Sequence, residues 1–180
     1  MPKKIMKTFT LLLCLLSFGI ATAQQNPAPV KATTQKEWDE LDKNFIALVD
    51  ALVKGDKTKF LALSCKEVDC VDCVGAVEAA KGAVFVPAEF YFTVISQKFT
   101  ESPVYKAMAK KGYSFSSVIV ENFKPKVVPK DYPKDLKIYE VWVETYKKDE
   151  FAKGHPGTSH SFRFIKINGK FRFYGMTSIP

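Results

Sequence analysis

Three cysteines stand close together, Cys65, Cys70 and Cys73, in the pattern C-x4-C-x2-C. Thiolates at this spacing occur in iron–sulfur sites, but a cluster needs a fourth thiolate. The remaining cysteine, Cys14, lies in an apolar N-terminal run. A zinc site would have to borrow His155 or His160, and the spacing matches no closed tetrahedral set. Cys70-Val71-Asp72-Cys73 lacks the aromatic and Gly-Pro surroundings of a thioredoxin-type pair, and the strand that precedes one. The three are therefore read as disulfide candidates, one staple across a loop plus one buried or free thiol, with no metal and no cofactor.

Acid–base chemistry has two candidates. His160 falls in a run of alternating aromatic residues and could act as a general acid or base if held within hydrogen-bond reach of a substrate. Glu89 could supply a partner carboxylate. The competing reading of His160 is a structural histidine satisfied at a strand end. His155, in Gly154-His155-Pro156-Gly157, reads as a loop residue. No Gly-rich phosphate loop, Ser-His-Asp constellation or H-E-x-x-H run is present in the sequence.

The elements that must position these groups begin at Thr34. Thr34 and Glu37 form a T-x-x-E capping box, and Trp38, Leu41, Phe45, Leu48, Val49 and Leu52 recur at three- and four-residue spacing, which predicts an amphipathic helix ending at Gly55. Asp56 can cap a short second helix carrying Phe60, Leu61 and Leu63. Residues 65–82 read as a small-residue connection. Pro87 to Gly112 reads as helical with a break at Ser102-Pro103, and Tyr91 in this stretch could fill a core or line a pocket. After Gly112 the residues become β-branched and aromatic, predicting strands over 113–123, 136–146, 159–168 and 171–179.

Asn168-Gly169 marks a two-residue hairpin and so fixes a register. With Ile167 opposite Lys170, one face collects Lys166/Phe171, Phe164/Phe173, Phe162/Gly175 and His160/Thr177. The other collects Ile165/Arg172, Arg163/Tyr174 and Ser161/Met176. The phenylalanine face should meet the helix stripe. The second face, joined by Trp142 from the preceding strand, mixes Arg with aromatics and suits a subunit contact.

The chain has 180 residues, of which 47% are apolar and 13% aromatic, enough for one packed domain and too apolar for a disordered chain. Residues 1–23 read as a signal peptide: Lys3, Lys4 and Lys7 precede an apolar run from Phe9 to Ile20, and Ala21-Thr22-Ala23 offers a cleavage site. The run is shorter than the ~20 residues of a membrane span, so no integral membrane segment is expected after processing. Residues 24–33 read as a flexible leader and 34–180 as a single α+β domain. Removing three lysines lowers the formal charge of +8 by three. The rest is spread over loops such as Lys124, Lys126, Lys130, Lys134 and Lys137, which excludes a concentrated nucleic-acid stripe. An exported protein, periplasmic or extracellular, is the expectation.

The helix ending in "ALVKGDKTKFLALS", the middle helical stretch and the closing "SFRFIKINGKFRFYGMTSIP" resemble the nuclear-transport-factor-2-like superfamily and its polyketide-cyclase-like relatives, over roughly Gln35 to Pro180. The resemblance implies an exported bacterial member of that superfamily: helices packed on a curved antiparallel sheet, cone-like, enclosing a pocket. It implies a small apolar ligand held by Tyr91, Phe162, Phe164, His160 and Thr177, and a homodimer through Arg163, Arg172, Tyr174 and Trp142. No Asp-His pair of catalytic relatives can be matched here. The leading expectation is a non-catalytic binding or interaction module. The alternatives are a cyclase- or isomerase-like enzyme using His160 with Glu89, and a pocketless interaction domain whose cone is filled by its own phenylalanines.

Overall fold

The computed structural model describes residues 32–70 and 85–180. The expected signal peptide, residues 1–23, and most of the leader lie outside the described residues, as does Cys73.

Helix α1 (Gln35–Lys54) starts where the sequence places it. The Thr34 side chain accepts from the Glu37 N–H, and Glu37 accepts in return from the Thr34 N–H at 3.0 Å. Gly55, at φ 67, closes the helix in the left-handed conformation that glycine adopts without a Cβ penalty. The stripe Leu41, Phe45, Leu48, Ala51 and Leu52 is buried. Asp56 caps the short α2 (Lys57–Leu63) by accepting from the Lys59 N–H at 2.9 Å. The middle stretch forms α3 (Ala88–Ser96), a 3-10 turn (Phe99–Glu101) and α4 (Pro103–Lys111), with the break at Ser102, whose hydroxyl accepts from the Tyr105 N–H.

Glu37 does more than cap. Its carboxyl is held down to about 2, first by the Thr34 N–H and then by Lys166 and the Tyr139 hydroxyl, while burial opposes the shift. Because the folded value lies below the ordinary 4.5, the ionised form favours folding. That contribution is complete above pH 4.5 and is lost as pH falls toward 2. Glu37→Gln should cost about 1 kcal/mol near neutrality and flatten the acid limb of stability in this window. Urea titrations of parent and variant across the window test this, and parallel curves would refute it.

The strands are β1 (Ser64–Cys70), β2 (Phe85–Pro87), β3 (Ser114–Val120), β4 (Leu136–Tyr146), β5 (Thr158–Ile167) and β6 (Lys170–Ile179), in the order β2-β1-β6-β5-β4-β3. β3 to β6 form an antiparallel meander, and β1 pairs with β2 antiparallel and with β6 parallel. The sheet is therefore mixed. The fold is α+β, with the helices packed on one face of this sheet: Phe45 of α1 meets Phe162 and Phe164 at 5.2 and 6.5 Å, and Phe60 of α2 and Tyr91 of α3 meet Phe173.

The register departs from expectation halfway along the hairpin. Ile167↔Lys170, Lys166↔Phe171, Ile165↔Arg172 and Phe164↔Phe173 pair as expected, but then Arg163 pairs with Gly175, Phe162 with Met176, Ser161 with Thr177 and His160 with Ser178. Tyr174 is an extra residue, a bulge in β6. Its cause is β1. Gly175 sits at φ 144 against the Asp69 backbone, where a Cβ would overlap the Asp69 carbonyl oxygen and lie 2.7 Å from the Asp69 nitrogen. The bulge lets the glycine face the parallel strand. Four expected pairs are corrected by it: Phe162/Gly175, His160/Thr177, Arg163/Tyr174 and Ser161/Met176 are replaced by the pairings above, so Thr177 shares a face with Ser161 rather than His160, and Met176 joins the phenylalanine face in place of Gly175.

Candidate functional site

The helix-side face, expected to line a pocket, is packed. Phe162 and Phe164 are 1% exposed, Tyr91 1% and Phe173 0%. Phe173 makes ring contacts with Phe60, Tyr91, Phe162 and Phe164 at 5.4–6.4 Å. Phe60 stacks on Tyr91 with their planes 4° apart. Five side chains from β5, β6, α2 and α3, with Phe45 of α1, thus interlock as edge-to-face and offset pairs, the geometry that aromatic quadrupoles favour.

The acid–base candidates have separate partners. His160 shares a hydrogen bond of 2.7 Å between its Nδ1 and the Thr145 hydroxyl. Thr145 is buried and forms a bulge in β4 that pairs Tyr146 with Thr158, taking Tyr146 off the Trp142 side. Glu89, in the first turn of α3, forms an exposed ion pair with Lys57. His155 accepts from the Gly157 N–H in the β4–β5 connection.

On the far face of the sheet, the four residues expected to meet a second subunit are engaged within the chain. Arg163 pairs with Asp69 of β1 and lies over the Tyr174 ring. Tyr174 is 2% exposed, and burial pushes its phenol up to about 12. Arg172 donates to the Ala62 carbonyl. The Trp142 indole donates to Ser116 at 3.0 Å and to Glu140 at 3.2 Å. Part of what covers this side is the segment between β3 and β4: Val128 is buried, and Val127 and Tyr132 pack against the core. Together with Cys65, Ile167 and Arg172, Val127 and Val128 edge a hollow of about 520 Å³.

Cys65 is a free, buried thiol, pushed up to about 12 by burial in spite of nearby Arg172. Cys70 is disulfide-bonded. A thiol so placed is protonated and shielded at neutral pH, which removes it as a nucleophile. Among the described residues no group of three His, Cys, Asp or Glu side chains is gathered to hold a metal ion.

A recess suited to an apolar molecule lies between the β1–β2 pair and the β3–β4 segment. It is a cleft of about 400 Å³ walled by Phe85, Phe123, Pro125 and Val127, with Glu67, Lys124 and Lys126 beside them. Two parts of its wall are anchored. Phe85 packs edge-on against Tyr174 at 5.5 Å. Lys124 donates to the Lys130 and Tyr132 carbonyls, and the Asn122 N–H donates to Asp135 at 2.9 Å, closing the segment at its base. Phe123 remains 42% exposed. From the sequence alone Phe123 ends an expected strand and the residues after it read as a solvated loop of lysines and prolines, with no wall residue marked as a site. The signal is present in Val127, Val128 and Tyr132, apolar residues set between prolines, and in Phe123 just before the first of them.

No protein-family model matches the chain, and no curated protein matches it. Among solved structures it is similar to a designed nuclear-transport-factor-2-like protein (16% identity, 79% of this chain and 99% of that chain, TM-score 0.36). It is also similar to a domain of unknown function with a cystatin-like fold from Nostoc punctiforme (12%, 81% and 78%, 0.36). A third similarity is to a protein described as a calcium/calmodulin-dependent protein kinase II association domain from Xanthomonas campestris (14%, 84% and 91%, 0.35). These are loose likenesses at the level of the fold.

Proposed function

We propose that the protein is an exported, non-catalytic binding module that takes a small, mainly apolar ligand in the cleft of Phe85, Phe123, Pro125 and Val127. The observation that supports this site over the interior is that the helix-side face is filled by its own side chains, with Phe162, Phe164, Phe173 and Tyr91 at 0–1% exposure, which leaves no room there for a ligand. The cleft's volume of about 400 Å³ falls in the range of small-molecule sites, and its walls are apolar with a few charges nearby. Non-catalytic action is supported by the separate engagement of His160 with Thr145 and of Glu89 with Lys57. Export is supported by the disulfide at Cys70, since such bonds persist in oxidising compartments. Pairing of two copies across the far face has narrower support, from half-buried Trp142 and from exposed Val118 and Ile179 on the same side by register.

Titration with an anilinonaphthalene sulfonate probe tests the site. Phe123→Ser should weaken probe binding roughly tenfold, the loss of one large apolar contact, while stability stays within about 0.5 kcal/mol because the ring is already exposed. Equal probe affinity in parent and variant would overturn the assignment.

A further inference from the structure

The β4–β5 connection, residues 147–157, holds Phe151 out in water. At 64% exposure it is the most exposed of the large apolar residues among those described. The loop carrying it is braced. Asp149 accepts from the Gly154 N–H at 2.6 Å, Glu150 accepts from the Lys147 N–H at 2.7 Å, and the Asp149 N–H donates to the His155 carbonyl. The Phe151 ring rests against Tyr146 and His155, at 5.2 and 5.3 Å. The ring is thus fixed in an outward position.

Lysines precede and follow it in the connection. Lys147, Lys148 and Lys153 belong to the same connection, and Lys110 and Lys111 end α4 across an open cleft of about 740 Å³. Of the acids here, Glu150 pairs with Lys111 and Asp149 accepts from a backbone N–H, so that Lys110, Lys111, Lys147, Lys148 and Lys153 outnumber Glu144, Asp149 and Glu150 by five to three. Among the described residues, Lys110, Lys147, Lys148 and Lys153 have no ion pair.

The geometry points to this connection as a peripheral docking element for an anionic lipid surface, with Phe151 entering the headgroup region and the lysines meeting lipid phosphates. The occupant follows from shape and charge together. The adjoining cleft is lined by charged side chains alone and offers no apolar groove to seat the side chains of a peptide, whereas the boundary between headgroups and acyl chains accepts an isolated exposed ring flanked by basic side chains. One ring and a few lysines give weak, reversible, salt-sensitive attachment. This surface is separate from the apolar cleft, so the two assignments stand or fall independently.

The test uses the full chain with tryptophan at the tip, Phe151→Trp, and vesicles of phosphatidylglycerol or of phosphatidylcholine. After subtraction of the parent signal from the chain's two native tryptophans, emission from position 151 should shift to the blue with phosphatidylglycerol only, and salt should reverse the shift. Adding Lys147→Glu and Lys148→Glu should weaken the response roughly thirtyfold. The proposal is overturned by unshifted emission in a chain that still sediments with the vesicles, which would mean attachment elsewhere. An unchanged response after lysine reversal overturns it too, as does an equal shift with soluble polyglutamate, which would identify an acidic polymer rather than a lipid surface.

Discussion

Phe173→Ala is expected to lower the stability of the protein by about 3–5 kcal/mol, the range for removing a large aromatic side chain from a packed core. Phe173 is 0% exposed and makes ring contacts with Phe60, Tyr91, Phe162 and Phe164, so its loss leaves a hole lined by rings from α2, α3 and β5. These rings are held by their own neighbours and cannot all collapse into the space, which places the cost toward the upper part of the range. The same experiment separates two views of the helix-side face. In a hydrated ligand pocket, truncating a wall residue would change stability by less than about 1 kcal/mol. Urea unfolding of parent and variant measures the difference, and a small loss would return the pocket to the interior.

Gly175→Ala should be more disruptive still. The added Cβ would land on the Asp69 carbonyl oxygen, and all three atoms that must give way, the Asp69 oxygen, nitrogen and carbonyl carbon, are backbone. A second source of strain is φ 144, a conformation that side-chain-bearing residues rarely adopt. Relief requires β1 to move off β6. That would break the parallel pairing Asp69↔Gly175 and Cys70↔Met176 and pull Asp69 from Arg163, leaving a largely buried guanidinium without its counter-charge. A loss above about 4 kcal/mol is expected, seen as insoluble expression or a collapsed melting temperature. A soluble variant within about 1 kcal/mol of the parent would show that the close approach of β1 to Gly175 is wrong.

These two residues also mark where the sequence was legible and where it was not. Phe173 was assigned to the helix-side face from the Asn168-Gly169 turn, because a two-residue hairpin sets the register of everything near it and the turn's φ values of 50° and 74° are those such a hairpin needs. The same local logic placed α1 between Thr34 and Gly55, and the strands β3 to β6, whose alternating β-branched and aromatic residues announce themselves. Gly175 was misplaced because its role depends on a strand more than a hundred residues earlier. β1, Ser-Cys-Lys-Glu-Val-Asp-Cys, has a single β-branched residue and is a strand only because β2 and β6 flank it. No local pattern encodes that pairing, so neither the strand nor the bulge it imposes could be read, and Thr177 was put beside His160 in consequence. The apolar cleft was hidden for a related reason. Its walls come from β2 and the β3–β4 segment, far apart in the chain and individually unremarkable.

The far face shows a different limit. Arg163, Arg172, Tyr174 and Trp142 were correctly grouped on one side of the sheet, but a list of face residues does not say what else in the chain will cover them. Asp69, Ala62, Ser116 and Glu140 supply their partners, and three of those four come from outside the strands that carry them.

If the phenylalanine face is core and an apolar ligand binds in the outer cleft, titration of the naphthalene sulfonate probe into the labelled protein should give saturating amide and aromatic NMR shifts at Phe85, Phe123 and Val127, with Tyr91, Phe162, Phe164 and Phe173 unmoved. Saturating shifts confined to those four rings would instead put the ligand in the interior and refute the outer site.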